Sequence, residues 1–204
     1  MELFDWKNSY NSRKIRAVGF ECDVNVKPVE LDMTSGAHKA PDFLAMNPNG
    51  KVPLLKDGAF SLWESNAIMC YVASKSKGAK LLPTDAAERS KVDQWLFWQT
   101  SHLSPSLGKI GYEKIWKAKF GLGAEDPKAI EAAMPEVDRF LKVLDGELSK
   151  RDWVASNQLT VADFACAAAF ISRKKMALDL TPYKSLTKWL DRVESRPSWK
   201  NAAW

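Results

Sequence analysis

The chain has 204 residues, of which 46% are hydrophobic and 27% are charged, and its net charge is +5 at pH 7. This composition supplies apolar material for one large domain or two modest ones, and it excludes an intrinsically disordered chain. No stretch approaches the ~18 consecutive apolar residues of a membrane span. The basic residues fall in short groups such as 173–175, which favours solvated helix faces over nucleic-acid binding.

The cysteines and histidines argue against a dithiol redox centre and against a metal site. Cys22, Cys70 and Cys166 are far apart and odd in number, which favours reduced thiols in a cytoplasm. None of them belongs to a Cys-x-x-Cys pair, so any redox role would need an external thiol. His38 and His102 are too few for the usual zinc ligand sets, and we expect no metal. The first residues lack a basic region leading into an apolar run, so we expect an unexported protein.

The first part of the chain alternates strand-like and helical segments. Residues 3–6 predict a strand, 7–12 a polar loop, 13–22 a helix and 24–29 a second strand. One face of the predicted helix carries Ile15, Val18, Gly19 and Cys22. A strand, a helix and a strand spaced this closely predict a right-handed parallel crossover unit.

A hairpin and a helix are expected next. Residues 52–55 and 60–63 flank an Asp57-Gly58 pair, which predicts two antiparallel strands joined by a tight turn. A helix should begin near Ser65, and its pattern ends around residues 77–80. The order is therefore β-α-β followed by β-β-α.

The second part of the chain predicts helices alone. Helical periodicity places helices near 86–118, 128–149, 160–176 and 183–195. The 160–176 helix should start with a capping box, because Thr160 precedes Asp163 by three residues. We predict an α/β domain over 1–78, a linker over 79–85 and an all-α helical bundle over 86–204.

The loop before the first helix is the first candidate site. Ser9 and Ser12 lie where hydroxyl groups meet backbone amides at the positive end of a helix dipole, a place that favours an anion such as a thiolate. A serine there need not be a base, because a hydrogen bond to a bound thiolate already stabilises the charged form. From spacing alone, the alternative that either serine merely caps the helix is favoured.

Two further segments can each be interpreted either as a ligand-binding site or as an ordinary structural feature. The Val52-Pro53 peptide bond opens a strand and is a candidate cis bond that would present the backbone of Val52 to a peptide ligand, although such a proline also marks sheet edges. Glu64 and Ser65 open a helix, where Ser65 could be an ordinary N-cap. Alternatively, Ser65 and the nearby amides bind a ligand carboxylate while Glu64 binds an ammonium group.

These motifs together resemble those of cytosolic glutathione transferases, with phi- and theta-like features and some of the nu class. The resemblance rests on four segments that span nearly the whole chain: 36–44, 47–55, 63–68 and 159–164. It implies a thioredoxin-like N-terminal domain, a helical C-terminal domain, a cytoplasmic homodimer and glutathione as co-substrate. Neither nucleic acid nor a membrane is an expected partner.

The resemblance also assigns glutathione-binding roles. The backbone of Val52, ahead of Pro53, would pair with the cysteinyl part, and Glu64 with Ser65 would hold the γ-glutamyl end. The glycyl carboxylate would lie near three residues, His38, Lys39 and Lys51.

Three residues compete for the sulfur. Phi- and theta-like members place a catalytic serine four positions before the first-helix arginine, here Arg13, which indicates Ser9. Asn11 resembles the asparagine of the nu class, and Ser12 is a competing hydroxyl. Asn66 departs from the arginine that is common after Glu-Ser in the family.

The helical half would bind the second substrate. It carries a set of aromatic side chains sufficient for an apolar pocket, most of which we expect in the core: Trp95, Phe97, Trp98, His102, Tyr112, Trp116 and Phe120. The leading hypothesis is conjugation of glutathione to a small apolar electrophile. The alternatives are a glutathione-dependent disulfide or peroxide reductase and a binding module without catalysis.

Overall fold

The computed structural model describes residues 1–7, 9–78 and 81–203. The predicted loop at 7–12 and the predicted linker at 79–85 each fall partly outside the described residues, at Asn8 and at residues 79 and 80.

The chain forms two compact units. The first comprises Met1–Pro83 together with the residues from Glu194 onward, and the second comprises Thr84–Val193. The segment from Glu194 onward was predicted to belong to the helical domain, whereas the structure groups it with the first unit. Long-range packing of this kind leaves no mark in local periodicity.

A four-stranded sheet with the order β2-β1-β3-β4 forms the centre of the first unit. Its strands are β1, Glu2–Asp5; β2, Lys27–Glu30; β3, Leu54–Asp57; and β4, Phe60–Trp63. Strands β1 and β2 are parallel, and β3 is antiparallel to both β1 and β4. The predicted parallel crossover and the predicted hairpin are confirmed, and Gly58 in the hairpin turn has a φ of 62°.

The helices of residues 1–78 are α1, Tyr10–Cys22; α2, Pro41–Met46; and α3, Ser65–Ser74. A short 3₁₀ turn, Ala37–Lys39, precedes α2. The sequence analysis left both of these short helices as a polar stretch, because neither is long enough to show a helical period. The predicted apolar face of α1 is buried, and Gly19 allows close approach to Val24 and Val26.

Helix α1 begins three residues earlier than predicted. Ser9 is its N-cap, and the Ser9 hydroxyl accepts a hydrogen bond from the Ser12 amide at 3.2 Å. This cap places Asn11 and Ser12 in the first helical turn rather than in a loop. Strand β2 is also shorter at its start than the predicted 24–29 strand.

Helices account for most of the chain from residue 84. They are α4, Ala86–Trp98; α5, Ser104–Gly111; α6, Lys117–Lys119; α7, Pro127–Leu148; α8, Val161–Ala168; and α9, Lys184–Ser195. Two π-helical segments, Gln99–Leu103 and Tyr112–Trp116, join α4, α5 and α6 into one run. This run matches the predicted 86–118 helix.

The predicted 160–176 helix is too long. Helix α8 ends at Ala168, and turns with hydrogen bonds to the third preceding residue follow it, as from Phe170 to Ala167 and from Arg173 to Phe170. Successive turns repeat about every three residues, so they give an apolar pattern close to that of an α-helix. Sequence periodicity does not separate the two.

The capping box of α8 is confirmed and forms a buried polar centre. Both carboxylate oxygens of Asp163 accept hydrogen bonds: one from the Val154 amide and the Trp189 indole at 2.8 and 3.0 Å, the other from the Thr160 amide and hydroxyl at 2.8 and 3.2 Å. Burial raises the pKa of Asp163, and these hydrogen bonds oppose that rise.

A final short helix, α10, spans Pro197–Asn201. It packs on α1 of the first unit, and its Trp199 side chain is buried. Across the described ranges, none of the helices is both long and apolar enough to cross a bilayer.

Candidate functional site

The Ser9 hydroxyl lies at the N-terminus of α1. The Ser9 amide donates to the Trp6 carbonyl at 2.7 Å, which fixes the approach of the chain to the helix. A hydroxyl group has one proton to donate and two lone pairs, so the bond accepted from Ser12 leaves the Ser9 proton available. Helix capping and stabilisation of an anion are therefore compatible roles for Ser9.

The other two candidates for the sulfur contact differ in burial. The Ser12 side chain is 0% exposed, and its hydroxyl has no hydrogen-bond partner among the described residues. Asn11 is half-buried, and its side-chain oxygen accepts a hydrogen bond from the Ser65 hydroxyl at 3.4 Å. The structure thus brings Asn11 of α1 to Ser65 of α3, whereas Ser12 faces the interior.

The start of α3 has the features of an anion site. Glu64, the N-cap, has φ 71° and ψ 110°, a conformation that costs a non-glycine residue about 1–3 kcal/mol. Its side chain is exposed and accepts no capping hydrogen bond from the described part of the helix. Because Ser65 is the first helical residue rather than the cap, the predicted ordinary N-cap role does not apply to it. The N-terminus of α3, where the helix dipole favours an anion, therefore has no capping hydrogen bond from the Glu64 side chain among the described residues.

A buried lysine lies beneath these two helix starts. The Lys14 side chain is 1% exposed, and its ammonium group donates to the Asn66 side-chain oxygen at 2.6 Å. Asn66 stands where an arginine is common in the resembled family, so here a cation from α1 lies beside that position instead. Lys14 was not among the predicted site residues, although a lysine within a mostly apolar helix face was a signal.

Lys39 and the backbone of His38, both predicted for the glycyl end, approach Gly50. A Cβ atom at Gly50 would lie 2.7 Å from the Lys39 ammonium nitrogen and 3.0 Å from the His38 carbonyl oxygen. Gly50 has a φ of 57°, and it therefore combines a close approach with a backbone conformation that favours glycine. Lys39 and Lys51 are both exposed. The Lys39 ammonium group beside this tight turn, with Lys51 next to Gly50 in the chain, is a suitable place for a carboxylate.

Asn47 orders this turn. Its side chain is buried, and its amide group donates to the Lys51 carbonyl at 2.6 Å, while its oxygen accepts from the Asn49 amide at 3.1 Å. The sequence analysis included Asn47 in the family motif without giving it a role. The peptide bond between Val52 and Pro53, which the sequence made a candidate cis bond, is cis.

The aromatic side chains of the second unit divide into two groups. Trp95, Trp98 and His102 form ring contacts among themselves or with Phe140, and Trp95 is buried. The remaining group is the exposed Phe97 and three rings at the far end of the helical run: Tyr112, Trp116 and Phe120.

Those last three side chains form what we call the aromatic face. They are spaced four residues apart, and Trp116 stacks on Phe120 with ring centroids 5.7 Å apart. Tyr112 is 46% exposed and Phe120 is 62% exposed. The expectation that most of these seven aromatic residues lie in the core is wrong, because only Trp95 among them is buried. The aromatic face offers apolar surface to a ligand.

The fold and the site together define a thioredoxin-like domain followed by a helical domain. Two family models match the chain: the glutathione S-transferase N-terminal domain over residues 1–74 and the C-terminal domain over residues 101–197. Glutathione S-transferase 3 of Zea mays is 31% identical over 98% of this chain and 91% of its own length. The chain belongs to the glutathione S-transferase family, a family of enzymes, and glutathione is its co-substrate.

Two further similarities are informative about chemistry. The disulfide-bond oxidoreductase YfcG of Escherichia coli strain K12 is 30% identical over 92% of this chain and 87% of its own length. The theta class glutathione S-transferase of Xanthomonas axonopodis pv. citri, solved with glutathione bound, superimposes with a TM-score of 0.88 at 27% identity over 99% of this chain and 96% of that one. Within the described ranges, no group of three histidine, cysteine, aspartate or glutamate side chains is placed to hold a metal ion.

Proposed function

We propose that this protein conjugates the thiolate of glutathione to small apolar electrophiles. The observation that carries the proposal is the Ser9 hydroxyl, which caps α1 and keeps a proton to donate beside the Asn11–Ser65 contact. The sulfur would lie at this helix start, within reach of a hydroxyl donor and of the positive end of the helix dipole.

The energetics of this arrangement are sufficient. A free thiol has a pKa of ~8.5, and lowering it by about two units requires ~2.7 kcal/mol of preferential thiolate stabilisation. A hydrogen bond to a charged group contributes about 1.5–3 kcal/mol, and a helix end contributes about 0.3–1 kcal/mol more. The protein then supplies proximity and charge stabilisation without a covalent enzyme intermediate.

The rest of glutathione fits the remaining groups. The exposed Glu64 carboxylate suits the γ-glutamyl ammonium group, and Ser65 with the first amides of α3 suits the γ-glutamyl carboxylate. Lys39 and Lys51, with His38 beside them, suit the glycyl carboxylate, and the backbone of Val52 is placed in sequence to pair with the cysteinyl part.

The aromatic face is our proposed contact for the electrophile. Tyr112 and Trp116 belong to a π-helical segment, and such segments recur at functional sites. Glu113 anchors this segment, since its carboxylate accepts from the Asp126 amide at 2.8 Å and pairs with Lys117 at 2.6 Å. Tyr112 and Trp116 on this segment, with Phe120 stacked on Trp116, would provide the apolar surface.

A glutathione-dependent disulfide or peroxide reductase is the second candidate. It is favoured by the position of Asn11 next to Ser65 and by the similarity to the oxidoreductase YfcG. In this case Asn11 would contact the sulfur, and conjugation would be slow relative to disulfide turnover. A binding module that lacks catalysis is the third, and the presence of Lys39, Lys51, Glu64 and Ser65 disfavours it.

We also propose that the protein is a cytoplasmic homodimer. The three cysteines, all within the described residues, form no disulfide, as expected in a reducing compartment. Strand β4 lies at the edge of the sheet and exposes Phe60 and Trp63, and Phe60 packs on Tyr71. An apolar sheet edge of this kind is a suitable dimer contact.

A panel of glutathione-dependent rates on purified protein tests the chemistry. It contains an aryl halide, an isothiocyanate, a hydroperoxide and a small disulfide. Conjugation of either carbon electrophile supports the transferase, and exclusive turnover of the disulfide or the hydroperoxide supports the reductase. Background rates throughout, with no retention on immobilised glutathione, would leave the binding module.

A further inference from the structure

The short helix α10 is attached to α1 at three levels. At the first turn of α1, the Arg13 guanidinium donates to the Trp199 carbonyl at 3.3 Å and lies 4.9 Å from the centre of the Trp199 ring. In the middle, Arg16 donates to the Ala202 carbonyl at 3.1 Å. At the last turn, the Glu21 carboxylate accepts from Arg196 at 3.0 Å and from Ser198 at 2.6 Å.

The first-turn attachment lies next to the candidate sulfur site. The Arg13 amide donates to the Ser9 carbonyl at 3.0 Å, so Arg13 closes the same helical turn that Ser9 caps and that contains Asn11 and Ser12. The Trp199 ring is 2% exposed, and a buried ring below a guanidinium group restricts both side chains. Trp199, near the C-terminus, thereby contacts the helical turn that carries all three candidates for the sulfur contact.

The last-turn attachment is remote from that turn. Arg13 and Glu21 are eight positions apart in α1, or about 12 Å along the helix axis. Burial alone would raise the pKa of Glu21, but the hydrogen bonds from Arg196 and Ser198 lower it. The contact therefore stabilises the fold at neutral pH, and it does not touch the first turn.

We propose that Trp199 is a positioning residue for the thiolate-stabilising turn of α1, acting through Arg13. The inference rests on the proposed function, and it holds whether Ser9 or Asn11 contacts the sulfur. A displacement of a donor by about 1 Å can cost about 100-fold in rate, so a restrained first turn is of direct catalytic value. The α10 attachment is thus more than a contribution to stability.

The test compares two substitutions that each weaken one α10 attachment. Trp199→Leu removes the ring under Arg13 while keeping the backbone carbonyl, and Glu21→Gln weakens the last-turn ion pair as the matched control. For each variant we would measure the melting temperature, kcat and KM for glutathione, the pKa of bound glutathione from its ultraviolet thiolate absorbance, and amide hydrogen exchange.

We expect the two substitutions to change different properties of the protein. Trp199→Leu should lower kcat at neutral pH about tenfold, raise the pKa of bound glutathione and leave KM within about twofold. Exchange should accelerate at the Ser12 and Arg13 amides, which Ser9 protects. Glu21→Gln should lower the melting temperature while leaving kcat and the exchange of those two amides unchanged.

Several outcomes would overturn the inference. It is wrong if Trp199→Leu leaves the exchange of the first-turn amides unaltered, or if both variants lose kcat only in proportion to their loss of stability. Should Trp199→Leu not fold, Trp199→Phe, which keeps a smaller ring, must show the same shifts to a lesser degree. Hydrogen exchange does not depend on activity, so an inactive wild-type protein would refute the proposed function without deciding the exchange result.

Discussion

At the scale of single residues, one hydroxyl group serves both the fold and the proposed chemistry. Ser9 accepts the Ser12 amide as a helix cap, and its own proton can still be donated to a sulfur atom. The Ser12 hydroxyl also has no partner among the described residues, but Ser12 is fully buried and is therefore less accessible to a ligand. We propose that Ser9 stabilises the sulfur and that Lys51 binds a charged end of glutathione, and each role leads to a prediction.

Replacing Ser9 with alanine should raise the pKa of bound glutathione by about one to two units, since one hydrogen bond to a charged group is worth about 1.5–3 kcal/mol. The pH profile of kcat/KM should move to higher pH, and glutathione affinity should stay nearly constant. Ser9→Thr keeps a hydroxyl group and should retain most of the activity. If Ser9→Ala retains turnover while Asn11→Ala or Ser12→Ala abolishes it, the assignment of Ser9 is wrong.

Lys51→Ala should act mainly on binding. Loss of its ammonium group should raise the dissociation constant for glutathione about tenfold, in line with a charge-assisted hydrogen bond, and should change kcat little. Lys56→Ala, which removes an exposed lysine from β3, is the matched control and should leave affinity unchanged. Titration calorimetry would check both variants, and equal effects of Ser9→Ala and Lys51→Ala on binding would contradict the division of roles.

At the scale of elements, the start of α8 depends on one buried carboxylate. Asp163 joins the preceding loop through Val154, the helix cap through Thr160 and helix α9 through Trp189. A side chain that satisfies donors from three segments couples their formation. Its role is folding rather than catalysis, as the capping-box pattern predicts.

Asp163→Ala should destabilise the protein by about 3–5 kcal/mol, because it leaves buried donors without an acceptor. That loss corresponds to a fall in melting temperature of roughly 10 °C for a chain of this length. Asp163→Asn keeps one acceptor oxygen and should lose less. Thermal unfolding monitored by circular dichroism would show which variant loses more stability. An unchanged melting temperature in Asp163→Ala would refute the coupling of the three segments through Asp163.

At the scale of the whole molecule, the exposed sheet edge predicts self-association. Sedimentation of the wild-type protein should give about twice the chain mass of 22.9 kDa, as expected for a symmetric dimer. Phe60→Arg should shift the protein toward monomer, whereas Phe20→Arg, which alters another exposed ring, on α1, should not. A wild-type monomer at every concentration would remove the homodimer from the proposal.

The sequence by itself determined the elements whose signal is local. The parallel crossover, the hairpin around Asp57-Gly58 and the capping box at Thr160 all follow from short patterns with a defined backbone geometry. Pro53 made the bond before it a candidate for the cis form, which the structure has. The family motifs then indicated glutathione and the segments proposed to bind it.

Only the tertiary structure decided the contacts between distant segments. It placed Asn11 against Ser65, set Lys14 beneath Asn66 and attached α10 to α1 through Trp199. It also distinguished the buried Ser12 from the half-buried Ser9, two hydroxyl groups that the sequence presents as equals. Periodicity reports which face of an element is apolar, but packing determines which atoms of two remote elements meet.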